Sequence, residues 1–260
     1  MESTKTINWR NGRRGAILAL VTFIVTLGVL GMLAGALTTV AGLGGGLLLL
    51  ISLSLVTDPL SALAMTTPAL LIGNLHRSWV FRVWVQWPIV RVFALGAVPG
   101  AALGSLAAVA VPLWIVNGLM LGITLLSLAR VFGKLELIPS RGAFAPAGFV
   151  IGGLTGSAGG AAVLTAPLFL SAGLSGETYS GTIAAAAVAM HLGRIAGYGA
   201  GGLLTRDLWL FAALLSVAVV AGNGVGRRAR RWTERLPAGA IEHATLVICA
   251  LLAVAGVGRS

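Results

Sequence analysis

Two glycine clusters, Ala41-Gly42-Leu43-Gly44-Gly45-Gly46 and Thr155-Gly156-Ser157-Ala158-Gly159-Gly160, interrupt apolar stretches about 114 residues apart. Glycine lets a backbone amide approach a ligand with no Cβ in the way. A helix that begins just after such a turn adds its partial positive end. Together these suit an anion that has shed its hydration shell, held by Gly42, Gly44, Gly45 and Gly46 from one copy and Gly156, Gly159 and Gly160 from the other. An unwound backbone in lipid leaves polar groups unpaired at several kcal/mol each unless protein or a water-filled cavity satisfies them. Matched interruptions of this kind point to a transport site. Close helix packing through small residues is the competing reading.

Side chains of the right chemistry recur at repeat-related positions. Gly42 pairs with Gly156, Gly45 with Gly159 and Gly46 with Gly160; farther on, Thr67 lies opposite Thr182 and His76 opposite His191. A threonine hydroxyl can donate to an oxyanion without the trapping of a full charge, or bond back to the carbonyl one turn earlier. Histidine in a membrane helix is a candidate for carrying a coupling proton or pairing with the anion, or simply ends the helix at the interface. Arg194 follows His191 by three residues and shares its helical face. Its planar guanidinium suits an oxyanion, though a long side chain can also snorkel to a headgroup. Arg77 is adjacent to His76 and is expected to point elsewhere, and Asn74 fits either a cavity or a helix contact. Asp58, Glu177 and Asp207 fall at helix starts, where a carboxylate complements the dipole.

The elements that must position these groups are membrane helices. The 260 residues are 57% hydrophobic and 10% charged, against about a quarter charged in soluble domains, so too few polar residues remain to cover a water-facing surface. Apolar segments fall at 15–41, 44–56, 59–81, 87–109, 112–132, 144–156, 159–173, 177–202, 207–226 and 238–258. Those at 44–56, 144–156 and 159–173 are too short to cross about 30 Å of hydrocarbon, which suggests half-helices beside the glycine breaks. The expected fold is all-α and polytopic, with repeats over 1–132 and 144–260 joined by a polar linker over 133–143. The basic N-terminus resembles a secretory signal, but its apolar run is too long for a cleavable core and reads as a retained helix.

The net charge of +11 is scattered between apolar spans. It reads as loop charge that sets orientation, not as a nucleic-acid surface. Placing the basic loops at 77–91, 130–141 and 227–235 in the cytoplasm favours inverted repeats with both termini outside. The single Cys249 forms no internal disulfide, and no metal-ligand spacing, HExxH, GxSxG or nucleotide-binding GxxxxGK[ST] motif is present. An enzyme is therefore disfavoured, and no cofactor or metal is expected.

Gly42-x-Gly44-Gly45-Gly46 followed by Ala64-Met65-Thr66-Thr67, with a second copy running from Gly156 through Pro167-Leu168 to Thr182 and Arg194, resembles the TauE/SafE sulfite exporter family. The likeness covers nearly the whole chain. It implies a secondary carrier in the bacterial inner membrane whose substrates are small sulfur-containing anions such as sulfite or sulfonates. The sequence departs from the family pattern at Ser52-Leu53, where proline is usual, and at Ala158 and Ala161-Ala162 around the second glycine pair. An anion channel and a non-transporting membrane assembly component are the alternatives.

Overall fold

A computed structural model describes residues 9–41, 44–131, 143–160, 164–233 and 240–257. Gly42 lies outside the described residues. Among them every regular element is helical: α1 (Trp9–Ala41), α2 (Gly45–Ser54), α3 (Pro59–Val80), a 3-10 turn (Arg82–Trp84), α4 (Trp87–Ala110), α5 (Leu113–Val131), α6 (Phe144–Ala158), α7 (Thr165–Ser171), α8 (Gly176–Ala200), α9 (Arg206–Thr233) and α10 (Ala240–Val257).

Local chemistry sets several of these boundaries. Asp58 caps α3 by accepting from the Ser61 amide at 2.9 Å, and Pro59 occupies the first helical position, where its missing N–H is harmless. Val111 is extended (φ −104°, ψ 155°) and ends α4, because a residue before proline is pushed out of the helical region. Gly44, at φ +92°, turns the chain into α2.

Two segments differ from the sequence expectation. The second break begins at Gly159, not Gly156: α6 runs through Gly156 to Ala158, and Gly159 and Gly160 then adopt φ of +67° and +71°. The following half-helix, expected from 159, is the seven-residue α7 starting at Thr165.

The chain is a polytopic membrane protein. Ala16–Ala41, Trp87–Ala110 and Arg206–Ala229 are long and apolar enough to cross a bilayer. Its outer surface carries large apolar side chains, including Leu95 at 75% exposure, Leu210 and Val217 at 70% and Leu251 at 68%. Its interior holds Thr66, Thr67, Thr182, His191 and Arg194. Lipid favours such a surface, while buried polar groups need protein or water partners.

Helix pairs form across the two halves. α4 packs most extensively on α6, and α9 packs in the same way on α1; α3 meets α9 as α8 meets α4, while α3 meets α8 and α5 meets α10. Small residues make this approach possible. A Cβ at Gly96, Gly100 or Gly104 of α4 would fall on a carbonyl of Ala145, Phe149 or Gly153 of α6. Gly156 belongs to the facing row on α6, against Ala101 and Ser105, so its small size serves packing. The helices after the two hairpins begin at Pro59 and Gly176, a separation of 117 residues.

Candidate functional site

α3 and α8 cross the core antiparallel. The Gln86 amide, just beyond the end of α3, donates to Thr182 Oγ1 near the start of α8 at 3.0 Å. At the opposite end, Arg194 Nη2 donates to the Leu63 carbonyl at 3.2 Å. Between them runs a cavity of about 70 Å³. Thr66, Leu70, Asn74 and Arg77 line it from α3, and Ile183, Ala187, His191 and Arg194 from α8. Both sets step by three or four residues, so each forms one stripe along its helix. Thr38, Gly44, Gly46, Leu47, Leu50, Thr155, Gly160 and Thr165 complete the wall.

The donors divide sharply. Thr38, Thr66 and Thr155 give their hydroxyl hydrogens to Ala34, Ala62 and Ile151 one turn earlier, at 2.7, 2.8 and 2.7 Å. Their oxygens are left mainly as acceptors, of little use to an anion. The guanidiniums and amides differ. Arg194 is 1% exposed, and its Nε has no hydrogen-bond partner. Arg77 is 6% exposed and lies within electrostatic reach of Tyr179 on the first turn of α8. Asn74 Nδ2 donates to Leu70 at 2.8 Å, which uses one of its two hydrogens. At the start of α2, geometry leaves the Gly46 and Leu47 amides without a helical acceptor, and both residues line the cavity. Among the described residues, no Asp or Glu does.

His191 is 5% exposed, and its Nδ1 lies 3.4 Å from Arg194 Nη1. A guanidinium has no acceptor, so Nδ1 accepts in that contact, and the neutral ring carries its hydrogen on Nε2. The Tyr198 ring lies beneath Arg194, 5.6 Å from the guanidinium carbon, and its hydroxyl donates to the Gly156 carbonyl at 2.6 Å.

Of the residues singled out by sequence, Gly44, Gly46, Gly160, His191 and Arg194 meet at this cavity. Gly42 lies outside the described residues, and Gly45, Gly156, Gly159, Thr67, Thr182 and His76 lie away from the lining. Gly45 packs against Ala34 and Thr38 of α1, and Gly159 against Leu50 and Leu63. Thr67 donates to Leu63 at 2.6 Å, and Thr182 anchors Gln86. His76 is outside the lining, with a buried Nδ1 that lacks a partner. The sequence alone points Arg77 elsewhere and leaves Asn74 open between a cavity and a helix contact, whereas both line the cavity. Their signal was present as Asn74-Leu75-His76-Arg77 against His191-Leu192-Gly193-Arg194, which align at the 117-residue spacing of the helix starts.

No curated protein and no solved structure matches the chain. The family model described as sulfite exporter TauE/SafE does match, from residue 27 to residue 256. A polytopic helical membrane protein with a cavity lined by cations and, among the described residues, by no carboxylate agrees with that match, and the chain belongs to the TauE/SafE sulfite exporter family of membrane transporters.

Proposed function

We propose that the protein is a secondary transporter that carries sulfite, sulfonates or related small organosulfur anions across the bacterial inner membrane, with the anion bound at Arg194 and His191. The observation that carries this reading is the buried Arg194 guanidinium, whose Nε is unpartnered in a cavity with no carboxylate among its described lining residues. An intramembrane charge is expensive unless something pairs with it, and an oxyanion supplies both the charge and the acceptors. The Gly46 and Leu47 amides at the start of α2 add donors, and Gly44 and Gly160 leave room for the backbone to turn. His191 touches Arg194, so an anion at Arg194 favours protonation of the ring, and this contact couples a proton to the substrate. In this reading the halves are inverted repeats that rock about the cavity.

The test is anion flux into proteoliposomes, comparing sulfite, a short sulfonate, sulfate and acetate, with and without an imposed pH gradient. Selective sulfite or sulfonate flux that responds to the gradient and is weakened in Arg194→Gln is the expected result. Conductive flux that ignores the gradient makes the protein an anion channel. No flux from folded, inserted protein makes it a component of a larger assembly.

A further inference from the structure

We propose that Arg77 and Asn74 form a second anion station in the same cavity, the counterpart on α3 of Arg194 and His191 on α8. The inference rests on the reading above and extends it from one binding point to two.

Three observations carry it. First, Arg77 is 6% exposed and lines the cavity together with Asn74, one turn before it on the same stripe. Second, the two stations fall at one common spacing along the chain. Helices α3 and α8 begin 117 residues apart, and at that spacing Asn74 falls on His191 and Arg77 on Arg194. Each guanidinium therefore follows a polar ring or amide by three residues, on the same helical face. Third, the helices run antiparallel, so the stations sit toward opposite ends of the cavity. Arg194 reaches the Leu63 carbonyl, whereas Arg77 comes near the end of α3, about 20 Å farther along the helix axis.

Two cations at opposite ends of one cavity with no carboxylate among its described lining residues make a conduit. An anion entering from either face meets a guanidinium, and departure from one is assisted by attraction to the other. A single deep site would hold the anion more tightly and release it more slowly.

The experiment is sulfite transport by the full chain in proteoliposomes, with each face assayed separately, beside equilibrium binding of sulfite in detergent. Arg77→Gln is expected to raise KM about tenfold or more from the face where α3 ends and to change it less than about twofold from the other. Arg194→Gln does the reverse, and Arg77→Lys, which keeps the charge, recovers part of the loss. Folded Arg77→Gln protein with an unchanged KM at both faces overturns the second station. So does an equal rise at both faces, the result of a single site or a purely structural role. If Arg77→Gln does not fold, Asn74→Ala and Arg77→Lys carry the same sided comparison. Failure of the underlying reading looks different: the unmodified protein then binds no sulfite in detergent, Arg194→Gln changes nothing at either face, and both proposals fall together.

Discussion

Tyr198 gives the sharpest test of how the cavity wall is held. The residue is fully buried on α8, and its hydroxyl donates to the carbonyl of Gly156 at 2.6 Å. Because α6 stops at Ala158, Gly160 lies outside the helix and its amide cannot close the usual turn onto that carbonyl. Tyr198→Phe removes only the hydroxyl. The ring stays beneath Arg194, and no large void opens. A buried carbonyl stripped of its partner costs about 1–3 kcal/mol in soluble proteins. Hydrogen bonds between membrane helices average about 0.6 kcal/mol and reach about 1.7, because the membrane reference state also finds partners. A short, fully buried bond belongs in the upper part of the membrane range, so the expected loss is about 1 kcal/mol. That lowers the melting temperature in detergent by about 2–4 °C for a domain of this size. Intrinsic tryptophan fluorescence reads the transition. Tyr198→Leu loses the ring as well and should fall further. A melting temperature for Tyr198→Phe equal to the parent's, within error, refutes the claim that this bond secures the end of α6.

Other substitutions separate packing from binding. Thr182→Val removes the acceptor for the Gln86 amide and should destabilise the protein by about 1 kcal/mol. Sulfite KM stays unchanged, whereas a clear rise in uptake KM would place Thr182 at the substrate. Gly100→Ala puts a Cβ on the Phe149 carbonyl and should cost about 1–3 kcal/mol in thermal melts. Gly118→Ala on α5, with nothing within 4 Å of its added Cβ, should be neutral or slightly stabilising; equal effects would refute the close approach of α4 and α6. His76→Ala should leave uptake and its response to a pH gradient intact, while His191→Ala removes the response. The opposite pattern would transfer proton coupling to His76.

The sequence was read correctly wherever local chemistry dominates. Apolar runs bounded by Pro59, Pro88, Pro112 and the glycine clusters correspond to helices within a few residues over most of the chain. The reason is that a membrane leaves the backbone few choices besides a helix, and proline and glycine mark its ends through their own steric rules. His191 and Arg194 were legible as a pair because three residues along a helix keep two side chains on one face. The composition likewise decided between membrane and soluble protein with no knowledge of topology.

Tertiary structure decided which face of each helix looks inward. Pairing the halves through His76 and His191 assumes a separation of 115 residues, whereas the helix starts give 117. Two residues turn an α-helix by about 200°, which carries the expected position from the side of His76 to the side of Asn74 and Arg77. The slip arose because Gly156, paired with Gly42 at a spacing of 114 residues, lies inside α6, so the glycine clusters do not share the register of the helix starts. The glycines were similarly ambiguous. Gly46 and Gly160 line the cavity, whereas Gly156 lies in a helix interior against α4. Residue type is the same in each case, and only the neighbour supplied by a distant part of the chain separates a cavity wall from a helix contact.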